Sequence, residues 1–529
     1  MPFSKLDQFI NDIWEVNQTL SETIRLENGY PYFISLVFIK LMNETATHKI
    51  LANKHLLIKQ ILEQPEHLIL DKLNQCLAEL DNLNFLLPTQ ASNQKSKDRA
   101  MSNQLLSNID FRQALPLDLA KANKLFRAML QSLHQIPSPN KNSSPQMLCE
   151  VFLTIIDRVN STIPDVAIFY TPTAISGLVQ QLIQPTGKES IYDPACGTSS
   201  LMIKVAEFSQ YKREKMDLPH FFGEEAKQQI GAIAKMNFIL HGINHFEINI
   251  GNSLSAPAYK ESKNQLRQFD VVVSAPPFKI DHWRETEHFQ DNLNRFNLGL
   301  PPANKADFAF LLHGLASLKK HQGRMAIISP QGILFRGEQE KLIRTQLIEN
   351  NFIDCIINLP PKSFYQRNIN AAILILRKDK RNKEILFINA ENYFTPSKRL
   401  NTFDDKQILK ISKIYHDFCN SQINKQLQYH KKTVQFQAKT TEISGQYLYQ
   451  IQSSLSGDQQ ASMPDYCIAT HTVIKQNDYN LNPPLYFGTK KLSNKNIREL
   501  MKSRKQLKAS LNKIDLDIQQ LLSKLGQND

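Results

Sequence analysis

One stretch, Glu189–Lys204 (ESIYDPACGTSSLMIK), constrains the fold of this chain more than any other, because its pattern predicts a strand, a tight loop and a helix. The apolar run breaks at Asp193 and Pro194, and small residues follow before helical spacing begins at Leu201. Gly197 can adopt a positive φ without a Cβ penalty, and the free N–H groups of the following helix point at whatever occupies the loop. The stretch therefore predicts a turn that a nucleotide-like ligand can approach closely.

Short apolar stretches alternate with helical patterns from this first strand to about residue 376. The further strands predicted are His220–Phe222, Phe246–Ile250, Phe269–Val273, Met325–Ile328, Phe352–Leu359 and Ala371–Leu376. Helices are predicted between several of them, including Asp307–Leu318 and Gln339–Glu349. This alternation predicts an α/β fold with a mostly parallel, doubly wound sheet, in which ligands bind at the carboxyl ends of the strands.

The region before the sheet has a helical pattern. Apolar residues recur at helical spacing from Leu6 onward, so we predict an all-helical domain at residues 1–150. The polar segment Thr89–Ser102 predicts a break inside it, and the proline- and serine-rich segment Pro137–Pro145 predicts a linker near its end.

The sheet domain is expected at residues 151–390, and the pattern loosens after it. Residues 391–490 predict a mixed extension with a mobile loop at Gln452–Pro464, and residues 491–529 predict a C-terminal amphipathic helix. Spacings of four and three alternate along the apolar seam of that helix, which consists of Leu507, Leu511, Ile514, Ile518, Leu521 and Leu525. Such a seam either binds a partner helix or folds back on its own domain.

Composition restricts the class of function. A net charge of +13 and a pI of about 9.2 suit a polyanionic partner or, alternatively, a basic solvated surface. None of the six cysteines forms a Cys-x-x-Cys pair, so neither a zinc module nor a disulfide framework is indicated and a cytoplasmic location is expected. The N-terminus is too charged for a signal peptide, and no apolar run predicts a membrane span.

Four sites follow predicted strands and are expected to meet at one edge of the sheet. They are Asp193–Ser200, Gly223–Glu225, Gly251–Leu254 and Ser274–Phe278. An acidic residue at the end of the second strand can accept hydrogen bonds from ribose hydroxyls, in a dinucleotide or in S-adenosylmethionine. In the fourth site, two prolines and an aromatic residue form a stiff loop that presents backbone carbonyls and a ring able to stack on a flipped-out base.

Two enzyme classes are excluded by what these sites lack. Cytosine C5 methylation requires a cysteine nucleophile, expected in the loop after the fourth strand, and that loop contains none. A dehydrogenase requires a Gly-x-Gly-x-x-Gly turn, which the sequence after Gly197 does not supply.

The chain resembles the modification subunit of type I restriction-modification systems, a family of N6-adenine DNA methyltransferases. The segments that carry the resemblance are Phe169–Pro172, Asp193–Thr198, Gly223–Glu225, Ala234–Asn237, His241–Gly242, Ala306–Phe310, Leu334–Gly337, Leu359–Pro361 and Asp478–Asn482. The resemblance covers nearly the whole chain and implies a Rossmann-like, class I S-adenosylmethionine-dependent methyltransferase domain at residues 151–390.

The resemblance implies a cofactor site for S-adenosyl-L-methionine. Its methionine and adenosine ends are expected to be held by Phe169, Tyr170, Thr171, Pro172 and Thr173 and by Asp193, Pro194, Gly197, Thr198, Ser199 and Ser200. Glu225 is expected to bind the ribose, and Asn252 to lie near the cofactor adenine. No metal is implied.

The resemblance also implies a catalytic loop of Ala275, Pro276, Pro277 and Phe278, in which Phe278 stacks on the extruded adenine and the Pro276 carbonyl accepts a hydrogen of its amine. The family pattern has asparagine where this chain has Ala275, so one of two acceptors for the target amine is missing. The family pattern also has a glycine pair at the end of the loop after the first strand, where this chain has Ser199 and Ser200.

The missing acceptor leaves alternatives open. The chain could be a slow enzyme, could recruit another acceptor such as Ser274, or could be a catalytically weak or inactive scaffold that binds cofactor, DNA and partner subunits. A more distant alternative is an RNA or protein amine methyltransferase. No module for reading DNA sequence is evident, so double-stranded DNA and a separate specificity subunit are the expected partners, and the resemblance leaves room for a restriction subunit and a second copy of the chain.

Overall fold

The computed structural model describes most of the chain. The described residues are 4–21, 23–24, 26–44, 57–83, 105–113, 118–139, 144–163, 171–211, 219–243, 245–278, 280, 282–284, 290–364, 369–380, 382–398, 400–423, 441–443, 446–448 and 465–487. The predicted break at Thr89–Ser102, the loop at Gln452–Pro464 and the helix at residues 491–529 lie outside them.

The chain forms two compact units. The first consists of Met1–Tyr429 and Asp465–Pro483, and the second of His430–Pro464 and Pro484–Asp529. The described part of the second unit is an antiparallel hairpin of β11 (Thr441–Ile443) and β12 (Gln446–Leu448) and one short helix, Pro484–Phe487.

The first unit begins with helices. They are α1 (Lys5–Ser21), α2 (Leu26–Glu44), α3 (Ile58–Leu62), α4 (Ile69–Leu83), α5 (Leu119–Gln135) and α6 (Pro145–Thr162). Side chains cap three of them: the Ser4 hydroxyl accepts from the N–H of Asp7 (3.1 Å) at α1, the Asp118 carboxylate accepts from the N–H of Lys121 (2.8 Å) at α5, and the Ser144 hydroxyl accepts from the N–H of Met147 (3.2 Å) at α6. The apolar faces of all six helices meet in one core, as their helical spacing predicts.

In the part of the chain that the structure describes, a nine-stranded sheet follows. Its strands are β1 (Ser190–Asp193), β2 (His220–Glu225), β3 (Phe246–Ile250), β6 (Val271–Ser274), β7 (Arg324–Pro330), β8 (Ile353–Asn358), β9 (Ala371–Arg377), β10 (Glu384–Asn389) and β13 (Tyr466–Thr470), while β4 (Lys260–Ser262) and β5 (Gln265–Leu266) form a separate hairpin. The order is β13-β10-β8-β9-β7-β6-β1-β2-β3. The prediction of a mostly parallel, doubly wound α/β sheet is confirmed, and the strand order reverses between β1 and β6, which is the expected ligand-binding position.

Three features of the sheet were not predicted. β9 runs antiparallel between β7 and β8, and β13 pairs antiparallel with β10 at the edge. An apolar run such as that of β9 shows that a strand is buried without showing its direction. β10 itself was also missed, although all but its first residue are buried.

Helices cover both faces of the sheet. They are α7 (Thr173–Ile183), α8 (Ser200–Tyr211), α9 (Gln228–Leu240), α10 (Asp307–Ala316), α11 (Glu338–Glu349), α12 (Asp405–Ile423) and α13 (His471–Gln476). α9 is buried along nearly its whole length, because Ile230, Ile233 and Met236 join the core of the N-terminal helices while Phe238 packs on the side of the sheet. Among the helices that the structure describes, none combines the length and the apolarity needed to cross a bilayer.

Candidate functional site

Backbone hydrogen bonds join the loops that follow the first three strands of the site. The N–H of Cys196, after β1, donates to the carbonyl of Glu224 at the end of β2 (2.9 Å). The N–H of Gly251, after β3, donates to the carbonyl of Glu225 (2.9 Å). The ends of β1, β2 and β3 therefore form one continuous rim.

Side chains complete this rim and connect it to β6. The Ser253 hydroxyl, after β3, donates to the carbonyl of Pro194 (2.7 Å). The Ser274 hydroxyl, at the end of β6, donates to Oδ1 of Asp193 (2.8 Å). The four post-strand loops singled out in the sequence are thus in direct contact across the switch point between β1 and β6.

Asp193 is a buried carboxylate at the centre of the rim. Its Oδ1 accepts from the N–H of Ala195 (2.9 Å) as well as from Ser274, and its exposed fraction is 2%. Burial raises its pKa to about 7, and no positive charge among the described residues offsets this effect. The carboxylate is therefore suited to a ligand that brings a positive charge of its own.

Glu225 is held by the loop that follows β1. The N–H of Gly197 donates to its Oε2 (3.1 Å) and the N–H of Lys227 to its Oε1 (2.9 Å). Burial raises the pKa of this carboxyl, and the two backbone donors oppose the rise. A carboxylate can accept about four hydrogen bonds, so roughly two positions remain for a ligand such as a ribose diol.

The small-residue loop has two residues in the left-handed region, Gly197 (φ 56°) and Ser199 (φ 60°). Only the glycine adopts this conformation without a Cβ penalty. The Thr198 carbonyl accepts from Nδ2 of Asn237 on α9 (3.0 Å), and the Thr198 and Ser200 hydroxyls are hydrogen-bonded to each other (2.8 Å). Ser199 is fully buried, and its hydroxyl has no hydrogen-bond partner among the described residues.

Replacing Ser199 with glycine is expected to stabilise the protein. The change removes the strain of a left-handed non-glycine residue and a buried, unsatisfied hydroxyl. The free energy gained in this way exceeds the cost of the greater entropy of glycine in the unfolded chain by about 1 kcal/mol. Differential scanning calorimetry should show a Tm rise of about 1–2 °C. Ser199→Ala is the matched control, because it removes the hydroxyl and keeps the Cβ; a gain as large as that of glycine would show that strain contributes nothing.

In the loop after β3, Asn252 is exposed and Gly251 is half-buried. Oδ1 of Asn252 accepts from the N–H of Leu254 (3.0 Å), so the amide oxygen supports the turn and the exposed amide nitrogen is directed elsewhere. No atom lies within 4 Å of the position that a Cβ on Gly251 would occupy, apart from its chain neighbours. The backbone therefore borders open space here.

The segment before α7 is described in part. Pro172 occupies the N-cap position, Thr171 is buried and Thr173 is exposed in the first turn. Phe169 and Tyr170 lie outside the described residues.

The predicted catalytic loop lies directly after β6. Ala275 and Pro277 are half-buried and Pro276 is buried, and none of their side chains carries a hydrogen-bond acceptor. Ser274 is fully buried, and its hydroxyl donates to Asp193, so it does not face solvent as an alternative acceptor would. The structure therefore offers no replacement at Ser274 for the missing asparagine.

Phe278, the last residue of this loop, is half-buried and packs edge-on against Phe364, with ring centroids 5.3 Å apart and planes at 74°. Phe364 follows β8 and was missed in the sequence. The signal that could have found it is the pair Pro360 and Pro361, which stiffens the loop after a buried strand as the prolines before Phe278 do.

A buried polar network lies beneath the rim and was also missed. Oη of Tyr192 donates to Oε1 of Glu224 (2.6 Å) and is 2.8 Å from Nε2 of His313 on α10. Nη1 of Arg295 is 3.5 Å from Nδ1 of the same histidine. Burial, with Arg295 nearby, lowers the pKa of His313 to about 3, and burial raises the pKa of Glu224 to about 7. The imidazole is therefore neutral.

The pKa of Glu224 predicts a pH-dependent contribution to stability. Because the folded-state pKa lies above the ordinary value of 4.5, the folded protein binds the proton more tightly, and this contribution is present below pH 4.5 and lost as the pH rises through about 7. We expect Glu224→Gln to lower the Tm at pH 5 and to lose much of that disadvantage by pH 8. A Tm difference that is independent of pH would contradict the prediction. His313, whose pKa is lowered, makes stability depend on pH in the opposite direction. Because the wild type and the variant both contain His313, its effect cancels in the difference between their Tm values.

Comparisons with known proteins agree with this architecture. The profile of the N-6 DNA methylase family matches residues 146–495. The chain is 34% identical over 265 residues to the type I restriction enzyme MjaVIII methylase subunit of Methanocaldococcus jannaschii, covering 47% of this chain and 44% of the relative. It is 34% identical over 256 residues to the MpnII methylase subunit of Mycoplasma pneumoniae, covering 46% of each. The matched region thus spans about half the length of these curated relatives.

A solved structure shares the fold across nearly the whole chain. It is the type I restriction-modification system methyltransferase subunit from Streptococcus thermophilus, with a TM-score of 0.68, 22% identity, and coverage of 92% of this chain and 100% of that chain. The resemblance noted in the sequence is confirmed. With the family profile matching well over half of its residues, the chain belongs to the N-6 DNA methylase family.

Proposed function

We propose that the chain is a DNA adenine-N6 methyltransferase subunit of a type I-like restriction-modification complex, which transfers a methyl group from S-adenosyl-L-methionine to a flipped adenine. The observation that carries the proposal is the direct contact of four post-strand loops at the switch point, with Asp193 and Glu225 on one side and Ala275–Phe278 on the other. The relatives are methylase subunits by name, which supports the assignment.

The pocket suits S-adenosyl-L-methionine, the methyl donor of this family. The donor supplies an electrophilic methyl group on a positively charged sulfur, together with a ribose and an adenine. Glu225 has acceptor capacity left for the ribose hydroxyls, and the open space beside Gly251 admits a ring next to the exposed Asn252. A cation near Asp193 lowers the pKa that burial raises, and so favours its ionised form.

The target base is proposed to enter beside the catalytic loop. Phe278 offers a ring face for stacking once it separates from Phe364, and the Pro276 carbonyl accepts one hydrogen of the target amine. Accepting that hydrogen turns the nitrogen lone pair toward the methyl group. Ala275 leaves the second hydrogen without an acceptor from its side chain.

Double-stranded DNA and a specificity subunit are the proposed partners. The net charge of +13 favours contact with the phosphate backbone, which carries affinity without sequence information. The apolar seam at residues 491–529 is the proposed docking segment for the specificity subunit. The division into domains at 1–150, 151–390, 391–490 and 491–529 likewise stays a prediction.

A second candidate function is a scaffold that binds cofactor, DNA and partner subunits with little or no turnover. Two observations favour it: Ala275 lacks an acceptor, and the Ser274 hydroxyl is buried against Asp193. The cofactor pocket does not distinguish the two candidates, since it uses the other loops.

Calorimetric titration of the purified full-length chain with S-adenosylhomocysteine tests the cofactor assignment that both candidates share. NAD⁺ is the matched control ligand, because it also carries adenosine and ribose hydroxyls. We expect the homocysteine product to bind and NAD⁺ not to. Absence of binding by the chain alone, and by its complex with a specificity subunit and DNA, would overturn the proposal.

A further inference from the structure

Arg295 is a buried arginine outside the loops already assigned. It lies in the segment between the catalytic loop and α10, and its exposed fraction is 4%. Its Nε donates to Oδ1 of Asp291 (3.0 Å), and its Nη1 donates to the carbonyls of Ser253 (3.2 Å) and Leu254 (2.8 Å). The guanidinium thus holds two backbone carbonyls of the loop after β3, in addition to the bond between the Ser253 hydroxyl and the rim.

The charge of Arg295 fixes the hydrogen bonds of the network behind it. A permanently charged guanidinium has donors and no acceptor, so Nδ1 of His313, which faces it, must be the unprotonated nitrogen of the neutral ring. Nε2 then carries the hydrogen and donates to Oη of Tyr192, whose own hydrogen goes to Glu224. Oε2 of Glu224 in turn accepts from the N–H of Ala258 (2.9 Å).

The network ends one residue away from both acidic groups of the cofactor pocket. Tyr192 directly precedes Asp193, and Glu224 directly precedes Glu225. Successive residues of a strand point to opposite faces, so fixing one side chain fixes the orientation of the next. Arg295 therefore acts at two places: on the loop that carries Asn252, and through His313 on the ends of β1 and β2.

We propose that Arg295 is a positioning residue for the cofactor pocket. Through this residue, the segment that follows the target-base loop sets the geometry of the loop after β3 and of the ends of β1 and β2. The inference rests on the proposed function, because it takes S-adenosylmethionine as the ligand of that pocket. It also implies that a movement of this segment changes cofactor affinity.

Calorimetry with S-adenosylhomocysteine on the full-length chain tests the proposal. Arg295→Met, which removes every donor, is expected to weaken binding by about tenfold, whereas Arg295→Lys, which keeps a charged donor for the two carbonyls, should weaken it by about threefold or less. Should the methionine variant fail to fold, Asp291→Asn removes the carboxylate that orients the guanidinium and is expected to weaken binding in the same direction.

Arg324→Met is the matched control. Arg324 is also a partly buried arginine; it binds both oxygens of Glu189 (2.7 and 2.9 Å) and the carbonyl of Ile183 (2.9 Å), but at the amino edge of the sheet. We expect it to lower the Tm without weakening ligand binding. The inference would be overturned if the two methionine variants lost equal ligand affinity at an equal loss of Tm. It would also be overturned if neither Arg295→Met nor Asp291→Asn lost ligand affinity. Lack of binding by the wild type would instead overturn the proposed function.

Discussion

Replacing Ala275 with asparagine is expected to raise the rate of methyl transfer to adenine by about a hundred- to a thousandfold. The reason is the loss of one preorganised acceptor: a polar contact that is made in the transition state is worth on the order of 3–4 kcal/mol. The Pro276 carbonyl and the Phe278 ring remain in the wild-type chain, so the asparagine restores one contact to a loop that is otherwise intact.

The measurement is incorporation of tritiated methyl into DNA, at saturating S-adenosylmethionine, by a complex of the chain with a co-expressed specificity subunit, its proposed partner. Ala275→Leu is the matched control, because the leucine side chain has the same four-atom branched skeleton as asparagine and no acceptor; it should not gain activity. Rapid turnover by the wild type with no gain in the asparagine variant would show that another group supplies the acceptor. Activity that appears only in the asparagine variant would favour the scaffold.

The rim of the site could be predicted from the sequence because it depends on local patterns. Asp193, Glu225 and Gly251 each follow a short apolar run, and parallel strands bring such positions to one edge of a sheet whatever lies between them in the chain. The positive φ of Gly197 likewise follows from a residue type that tolerates it. These inferences needed no knowledge of long-range contacts.

What could not be predicted depends on pairings between distant segments. His313 lies in an apolar helix, and nothing near it in the sequence indicates that it contacts Tyr192 and Arg295. The direction of β9 is set by its neighbours and not by its own residues. Phe364 gains its significance only from the ring of Phe278 beside it.

Removing the carboxylate of Asp81 is expected to destabilise the protein by about 3–5 kcal/mol, the second large effect that we predict. Asp81 on α4 is 1% exposed, and its Oδ1 is 2.6 Å from Nζ of Lys235 on α9, which is equally buried. The carboxylate also accepts from the N–H groups of Leu106 (3.1 Å) and Ser107 (2.8 Å). Asp81→Ala therefore deprives a buried ammonium and two backbone donors of the same acceptor.

The two tryptophans of the chain make this prediction measurable in the N-terminal helices. Trp14 packs edge-on against Phe33 in that core, with ring centroids 6.0 Å apart, so a Trp283→Phe background leaves Trp14 as the single fluorescent reporter. Urea unfolding followed at Trp14 should give a much lower midpoint for Asp81→Ala. Asp71→Ala is the control, because Asp71 lies on the same helix as Asp81 and its ion pair with Arg112 is partly exposed to solvent.

Asp81→Ala is also expected to affect the loop after β1, the proposed cofactor loop. Asn237, two residues after Lys235 on α9, donates to the Thr198 carbonyl of that loop (3.0 Å). We therefore expect Asp81→Ala to weaken S-adenosylhomocysteine binding even at temperatures where the protein is folded, whereas Asp71→Ala should not. If both variants lower the Trp14 midpoint equally, the buried pair contributes no more than the exposed one. If Asp81→Ala lowers the midpoint without changing ligand affinity, α9 contacts both the N-terminal helices and the loop after β1 but does not transmit the change from one to the other.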